Sequence, residues 1–371
     1  MLRVCELTVN DEIYWDEYVQ ASPCSTPYHL SGWKRIVEKT FGHKPYYLLA
    51  RKAAPLTDAK FEASSSVLGT VEPQATSPAS LGERVVGVLP CFLIRYPFAG
   101  CSLISLPFTS YGGILADNSE VEQELLSEMK RIANALNADY LELRNITLSN
   151  AKDLCLKDIY ATFVMDIESD LDSMWDRLLS KNRNMIRKAL KASLTVDINR
   201  DYLKDFYPLF VRRMRDLGTQ VYSLNLFRNI MEEWKTATIL VIKDQAAVIA
   251  TGLLIPFKDT LYNPWTASNR NFLDLAPNNL FYWECITYCH ENGLSHFDIG
   301  RSIWHSGTFN FKKNIGATPK QLYYQYYLNK AKDIPSIDVN NPRYKVCIKM
   351  WQRLPLWLTK MIGPGIIGHI P

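Results

Sequence analysis

The sequence lacks the short motifs that mark metal centres, disulfide scaffolds and membrane spans. Its eight cysteines are scattered without a CxxC pair, which argues against a zinc knuckle or a compact disulfide framework. We interpret them as buried, reduced thiols of a cytoplasmic protein. The first residues, MLRVCE, contain no apolar signal segment. No apolar run reaches the roughly eighteen residues that a spanning helix needs, so the sequence predicts none.

A strong charge of either sign is also missing. The chain has 42 Lys and Arg against 38 Asp and Glu, a net charge of +4, which is too small to indicate nucleic-acid binding by itself. No Ser-His-Asp, Cys-His or metal-ligand constellation is visible. The 371 residues are 47% hydrophobic, enough for a packed core and for two domains of ordinary size.

What the sequence does contain is one order of elements that occurs twice. At a constant offset, Tyr28 aligns with Tyr222 and Trp33 with Phe227. Chance similarity between amphipathic helices could explain such pairs, but five elements in one order favour a duplicated α/β unit. The first copy is predicted as a helix, a hairpin, a third strand, a helix and a strand, at residues 28–41, 46–51 with 85–95, 102–106, 121–136 and 140–144. The second copy is predicted at residues 222–234, 238–242 with 248–256, 261–265, 277–292 and 296–299.

Two segments interrupt or connect these units. Residues 53–82, rich in Ala, Ser, Thr and Pro, have no helical or strand period and are predicted to be a disordered hairpin-loop insertion. Residues 171–192 are predicted as one basic connector helix, with Lys181, Lys188 and Lys191 on one face and Arg183 and Arg187 on another. An anionic ligand or plain solvation of the charged face both fit this pattern.

A charged pair follows the last apolar strand of the second unit. Asp298 and Arg301 lie in the string FDIGRS at residues 297–302, and Lys312 and Lys313 follow shortly after. Charges at the end of a buried strand must be paired or meet a ligand. A structural Asp298–Arg301 ion pair and a ligand site are therefore both open interpretations.

The tail at residues 331–371 carries lysines and arginines among tryptophans and aliphatic residues. Such a basic amphipathic segment either lies on an anionic membrane surface or packs on the second domain. Pro355 and Pro364 are expected to interrupt it.

This combination resembles the FemAB family, whose members are tandem acyltransferase units related to GNAT-type N-acetyltransferases. The likeness rests on the two α/β units, the basic helix between them, and FDIGRS followed by FKKNIG at residues 311–316. The strings YGG at 111–113, NPRY at 341–344 and WQRLPL at 351–356 resemble the exosortase- and exopolysaccharide-associated branch. The resemblance implies an α/β fold of two GNAT-like domains with mixed central sheets, at residues 1–165 and 166–330, and a helical tail.

The resemblance also implies an activity: an activated acyl group passes to an amine of a cell-envelope or exopolysaccharide precursor. Such a reaction needs no enzyme nucleophile, because orientation and oxyanion stabilisation can suffice. Lys312 matches the family lysine beside the transferred carbonyl, and Asp298 is the candidate that orients or deprotonates the acceptor amine. The candidate substrate-binding residues are Arg301, Arg183, Arg187, Tyr262, Trp265, Asn279, Tyr111 and Lys313. For Tyr262 and Trp265, an ordinary place in the core fits equally well.

The implied donor is a cosubstrate, with no tightly bound cofactor. The coenzyme A loop of ordinary N-acetyltransferases is not found: its nearest string, RDLGTQ at residues 215–220, ends a predicted helix. This disfavours acetyl-coenzyme A and leaves acyl carrier protein or aminoacyl-tRNA, although the coiled-coil arm of some tRNA-using relatives is not visible. The expected partners are a phosphate-bearing or amino-sugar envelope precursor and, through residues 343–371, the inner membrane face. A non-catalytic binding module is the alternative function.

Overall fold

The computed structural model describes residues 1–53, 82–97, 100–335 and 342–370. In these ranges the chain is an α/β protein with one continuous mixed sheet and helices on both of its faces. The strands are β1 (Leu2–Glu6), β2 (Lys44–Ala53), β3 (Glu83–Arg95), β4 (Cys101–Ser105), β5 (Leu115–Ala116), β6 (Tyr140–Asn145), β7 (Cys155–Asp166), β8 (Thr195–Asn199), β9 (Thr238–Asp244), β10 (Ala247–Phe257), β11 (Thr260–Ser268), β12 (His296–Ile303) and β13 (Thr318–Leu328). The α-helices are α1 (Glu12–Ala21), α2 (Ser31–Phe41), α3 (Ser119–Ala135), α4 (Leu171–Arg177), α5 (Ser180–Lys191), α6 (Leu203–Leu217), α7 (Leu224–Glu233), α8 (Pro277–Glu291), α9 (Gly307–Asn314), α10 (Pro342–Arg353) and α11 (Leu356–Ile367).

Local sequence determines where several helices begin and end. The side chain of Asn118 accepts a hydrogen bond from the backbone N–H of Val121 at 3.1 Å and caps α3. Ser306 caps α9 in the same way by accepting from Phe309 at 3.2 Å. Gly218 ends α6 with a φ of +78°, a conformation that glycine adopts without a steric penalty. RDLGTQ is therefore a helix C-terminus and not a phosphate loop.

The predicted duplication is confirmed, element by element. Helix, hairpin, third strand, helix and strand recur as α2, β2–β3, β4, α3, β6 and as α7, β9–β10, β11, α8, β12. The two aligned helices α2 and α7 also pack against each other: Trp33 stacks on Trp234 with ring centroids 5.7 Å apart, and Arg35 forms a 2.5 Å salt bridge with Glu233. The duplicated helices thus join the halves.

The two predicted sheets are in fact one, because the halves exchange strands. Its order is β1-β2-β3-β4-β6-β13-β7-β12-β11-β10-β9-β8, with β5 paired to β3. β13, from the end of the second half, lies between β6 and β7 of the first half, and β7 pairs with β12. The division of the chain at residues 165/166 and 330/331 stays a prediction.

Both faces of the sheet are covered by apolar cores. One core is shared by the halves and packs α1, α2, α6 and α7 against one face. The opposite face has two separate cores, one under α3 in the first half and one under α5, α8 and α9 in the second. Side chains at the centre of the sheet therefore lie at the junction of the halves.

Three sequence expectations need correction. The single connector helix is two helices, since α4 ends at Arg177 and α5 starts at Ser180. Pro355 does separate α10 from α11, but Pro364 lies inside α11 and does not end it. Only half of the cysteines are buried; Cys24, Cys155 and Cys347 are exposed.

The sequence also predicted an insertion in the β2–β3 hairpin and no membrane-spanning helix. β2 and β3 pair as the predicted hairpin up to Ala53 and Glu83. The predicted insertion itself, apart from its ends, lies outside the described residues. Within the ranges that the structure covers, no helix is long and apolar enough to cross a membrane.

Candidate active site

A gap opens in the sheet where two parallel strands of the second half separate. β11 and β12 pair over three residues, ending at Tyr262 and Asp298. Beyond this point β11 stays with β10, whereas β12 continues along β7 with a bulge between Asp298 and Gly300. Gly300 has a φ of +80°, which favours glycine at this bulge. We call this gap the β11–β12 wedge.

Asp298 lies at the base of the β11–β12 wedge and is 3% exposed. Its carboxylate accepts hydrogen bonds from the Tyr111 hydroxyl at 2.7 Å, from the Gly300 backbone N–H at 2.6 Å and from the Thr162 hydroxyl at 3.2 Å. Burial raises the pKa of this carboxyl, and the hydrogen bonds from Tyr111 and Gly300 oppose that rise. With these partners, Asp298 is suited to holding the bulge of β12 in place.

Lys312 contacts the same bulge from α9. It is 9% exposed, and its ammonium donates to the carbonyl oxygens of Gly300 at 2.9 Å and Arg301 at 3.1 Å. Burial lowers the pKa of Lys312 to about 8, partly offset by the nearby Asp298. An ammonium has three N–H donors, and these two carbonyl oxygens accept from two of them.

Arg301 does not form the ion pair with Asp298 that one interpretation of the sequence predicted. Its guanidinium lies over the rings of Tyr160 and Tyr324, 4.6 and 5.5 Å from their centroids, and donates to the Tyr324 hydroxyl. The residue is exposed. Arg301 is therefore a cation held by aromatic residues beside the β11–β12 wedge.

A loop of the first half borders this part of the second half. The backbone oxygen of Ser110 accepts a 2.5 Å hydrogen bond from the Tyr324 hydroxyl, and the Ser110 hydroxyl accepts one from the Arg301 N–H at 3.4 Å. The next residue, Tyr111, is the donor to Asp298. The Lys312 ammonium, at the bulge that this loop contacts, thus lies at the junction of the two halves.

The other candidate residues are not all beside the β11–β12 wedge. Tyr262 pairs with Asp298 at the base of the β11–β12 wedge, but it and Trp265 are 7% and 8% exposed and belong to the shared core. Asn279 of α8 lies 3.4 Å from the side-chain oxygen of Asn182 of α5. Lys313 is exposed, next to the buried Lys312.

The two arginines of α5 interact with α4. Arg183 forms a 3.2 Å salt bridge with the exposed Asp176. Arg187 lies over the Trp175 ring, 5.3 Å from its centroid, and is exposed. Arg187 is thus on the surface of the connector and Arg183 is partly exposed there, and the anionic ligand and plain solvation of this face both stay predictions.

In the first half, the place that corresponds to the β11–β12 wedge is filled by protein side chains. β4 and β6 are also parallel and pair only up to Ile104 and Glu142. Glu142 binds the buried Arg144 at 2.7 Å, and Arg144 also donates to the Thr109 carbonyl oxygen at 3.1 Å. No helix corresponding to α9 lies between β6 and β7. Hence only the second half, among the described residues, presents a lysine at this position.

Three residues of the site were missed by the sequence: Ser110, Thr162 and Tyr324. Thr162 and Tyr324 lie within strands and carry no local signal for a site.

The sequence also gave no sign of a cavity of about 1150 Å³ in the first half, bordered by Tyr18, Arg84 and Leu148. Nowhere in the described ranges do three or more His, Cys, Asp or Glu side chains form a group that could hold a metal ion.

Most of the second half matches a known protein-family model. Residues 179–313 match the family model described as an acetyltransferase (GNAT) domain. Over these residues the chain is similar to a GNAT domain. The matched segment includes Asp298 and Arg301 and ends at Lys313, so Lys312 lies within it.

Solved structures show that the fold extends over both halves. The crystal structure of FemX matches with a TM-score of 0.61 and 16% identity, covering 93% of this chain and 100% of that one. A conserved protein of unknown function from Bacteroides thetaiotaomicron gives 0.55, with 10% identity and coverage of 89% and 100%. A tandem GNAT protein from the clavulanic acid biosynthesis pathway gives 0.53, with 11% identity and coverage of 88% and 98%.

At these identities the likeness concerns the fold. The chain consists of tandem GNAT-like domains arranged as in FemX, which confirms the predicted α/β fold class and its resemblance to the FemAB fold. No curated protein matches the sequence. The narrower resemblance to the exosortase-associated branch stays a prediction.

Proposed function

We propose that the protein is an N-acyltransferase that forms an amide on a cell-envelope or exopolysaccharide precursor. The GNAT domain supports acyl transfer in general. The observation that carries the proposal is the buried Lys312 ammonium, held by two backbone carbonyls at the bulge of β12. A positive donor kept in place at a low-dielectric position is what a developing oxyanion requires.

The reaction joins the acceptor nitrogen to the acyl carbon. The neutral amine attacks the carbonyl of an ester or thioester, and the carbonyl oxygen becomes negative in the tetrahedral intermediate. Lys312 donates its remaining N–H to that oxygen. The C–O or C–S bond then breaks, and the proton lost by the amine ends on the departing alcohol or thiol. Asp298 acts here by holding the bulge that supports Lys312.

The donor and acceptor in this proposal both carry anionic groups. Aminoacyl-tRNA, acyl carrier protein and acyl-coenzyme A each bring phosphate, which the exposed basic face of α5 can attract. Arg187 and Lys188 are exposed on that helix. Arg301, exposed near the β11–β12 wedge, is suited to a phosphate or carboxylate of the acceptor.

The test measures amide formation by mass spectrometry. The protein is incubated with glucosamine 6-phosphate, an amino sugar that carries a phosphate, as acceptor and, separately, with acetyl-coenzyme A, alanyl-tRNA or an acyl carrier protein charged with an acyl chain. Lys312→Met should lower the rate with the active donor by about 10²–10³-fold, the usual loss for one oxyanion donor. The matched control is Lys204→Met, which removes an exposed lysine of α6 and should keep the wild-type rate. Full activity of Lys312→Met would contradict the proposal.

One observation favours the alternative, a non-catalytic binding module that recruits polysaccharide machinery at the membrane. Lys312 already has two backbone acceptors and little exposure, as a purely structural lysine would. In that case the wild-type protein forms no amide with any of the three donors, and Lys312→Met changes only the thermal stability.

A further inference from the structure

The last segment of this chain carries a net positive charge that the rest of the chain lacks. Residues 341–371 contain five basic residues and no Asp or Glu, while the whole chain has a net charge of only +4. The other 340 residues together therefore carry a formal charge of −1. The five are Arg343, Lys345, Lys349, Arg353 and Lys360.

One side of this segment is attached to the rest of the protein. α10 and α11 both pack on α6, with Trp351 and Ile367 buried. The backbone of α11 at Gly363 lies close to that of Val221. Beyond α11, the Gly368 carbonyl oxygen lies 2.8 Å from Nε2 of His43. The helices are thus docked on both halves and present a defined outer side.

The outer side exposes large apolar residues between the basic ones. Val346 and Met350 of α10 are 56% and 64% exposed, and Trp357 and Met361 of α11 are 66% and 65% exposed. Each pair has the i, i+4 spacing that places two side chains on one face of a helix. Lys349, Arg353 and Lys360 are exposed beside them.

We infer that this outer side, formed by α10 and α11, docks on an anionic lipid bilayer. Apolar side chains that include a tryptophan enter the interface, while lysine and arginine stems extend to the lipid phosphates. The absence of any acidic residue over the segment favours a uniformly negative surface. A protein partner would need no such uniformity, because protein surfaces carry charges of both signs. The inference does not depend on the acyl-transfer proposal.

The test is sedimentation of the full-length protein with lipid vesicles. It uses vesicles of phosphatidylcholine alone and vesicles that also contain phosphatidylglycerol. We expect the protein to sediment with the anionic vesicles only, and to be released by added salt because the attraction is screened. Wild-type protein that stays in the supernatant with anionic vesicles would overturn the inference.

Two pairs of substitutions separate the apolar and electrostatic contributions. Trp357→Ser with Met361→Ser should weaken binding about tenfold or more, since each side chain loses its burial in the interface. Lys349→Glu with Arg353→Glu should abolish the preference for anionic vesicles. The matched controls alter exposed residues elsewhere: Ile13→Ser for the apolar pair and Lys204→Glu for the charged pair. All four proteins should keep the wild-type thermal stability, because the altered side chains are exposed. Equal weakening by the controls would also overturn the inference.

Discussion

The hydroxyl of Tyr111 donates a 2.7 Å hydrogen bond to the carboxylate of Asp298, although 187 positions separate the two residues. Tyr111 follows β4 in the first half, and Asp298 marks the last parallel pair of the second. This bond connects a loop of one duplicated unit to the base of the β11–β12 wedge in the other. The geometry around Lys312 therefore depends on both halves.

Tyr111→Phe should destabilise the protein by about 1–3 kcal/mol, because it leaves a buried carboxyl without one of its donors. It should also raise the pKa of Asp298 further, since the lost bond opposes the effect of burial. Urea unfolding measures the first effect. Tyr14→Phe, on an exposed tyrosine of α1, should leave stability unchanged. Similar losses in both variants would show that the Tyr111–Asp298 bond has no special role.

The pKa of Lys312, lowered to about 8, predicts how acyl transfer depends on pH. The charged ammonium is the active form, so its contribution falls as pH rises through about 8. Lys312→Arg keeps its charge over this range, so the ratio of wild-type to Lys312→Arg rates should fall above pH 8. Taking the ratio cancels the titration of the acceptor amine. The rates are compared at about pH 7 and about pH 9.5, roughly one unit or more below and above that pKa. A constant ratio of the two rates would argue against an ammonium donor.

The same lowered pKa predicts an effect on stability. Between about 8 and the ordinary value of 10.5, the unfolded chain binds a proton at Lys312 that the folded chain has released. The free energy of unfolding should therefore contain a term that rises with pH across this window. Lys312→Met lacks that term, so its stability relative to wild type should decline from neutral to alkaline pH. Urea denaturation in a pH series measures the difference.

In the first half, the place that corresponds to the β11–β12 wedge is occupied by the buried Glu142–Arg144 pair. We predict that this pair has a structural role. Glu142→Ala leaves a buried guanidinium without its carboxylate and should cost about 3–5 kcal/mol. Replacing both residues, as Glu142→Leu with Arg144→Met, removes the charge and should restore most of the loss. Chemical denaturation of the single and double variants tests this expectation. If the double variant were as unstable as the single one, the uncompensated charge would not be the cause.

Much of the fold could be predicted from the sequence because its signals are local. The period of residues 28–41 and its recurrence from Tyr222 identified the duplicated units, and turn signals located the β9–β10 hairpin near Gln245. The exchange of β7 and β13 was not predicted. Pairing such as that of Tyr324 with Arg144 depends on tertiary structure, which periodicity does not contain.

The candidate site was predicted in part for the same reason. FDIGRS and the lysines after it stood out because charges followed an apolar strand. The sequence could not tell which groups Asp298 and Arg301 contact, because Tyr111, Thr162 and Tyr324 come from other parts of the chain. Tyr262 and Trp265 could not be assigned to a groove or a core, since aromatic residues in strands suit both.

The position of β13 has a consequence for how the protein is made. Among the strands of the described ranges a ribosome releases β13 last, yet its place is between β6 and β7, which emerge long before it. Until then, those two earlier strands have unpaired edges that invite association with other nascent chains. We expect the centre of the sheet to close late and slowly, because its contacts are distant in sequence, and newly made chains to need protection by chaperones meanwhile.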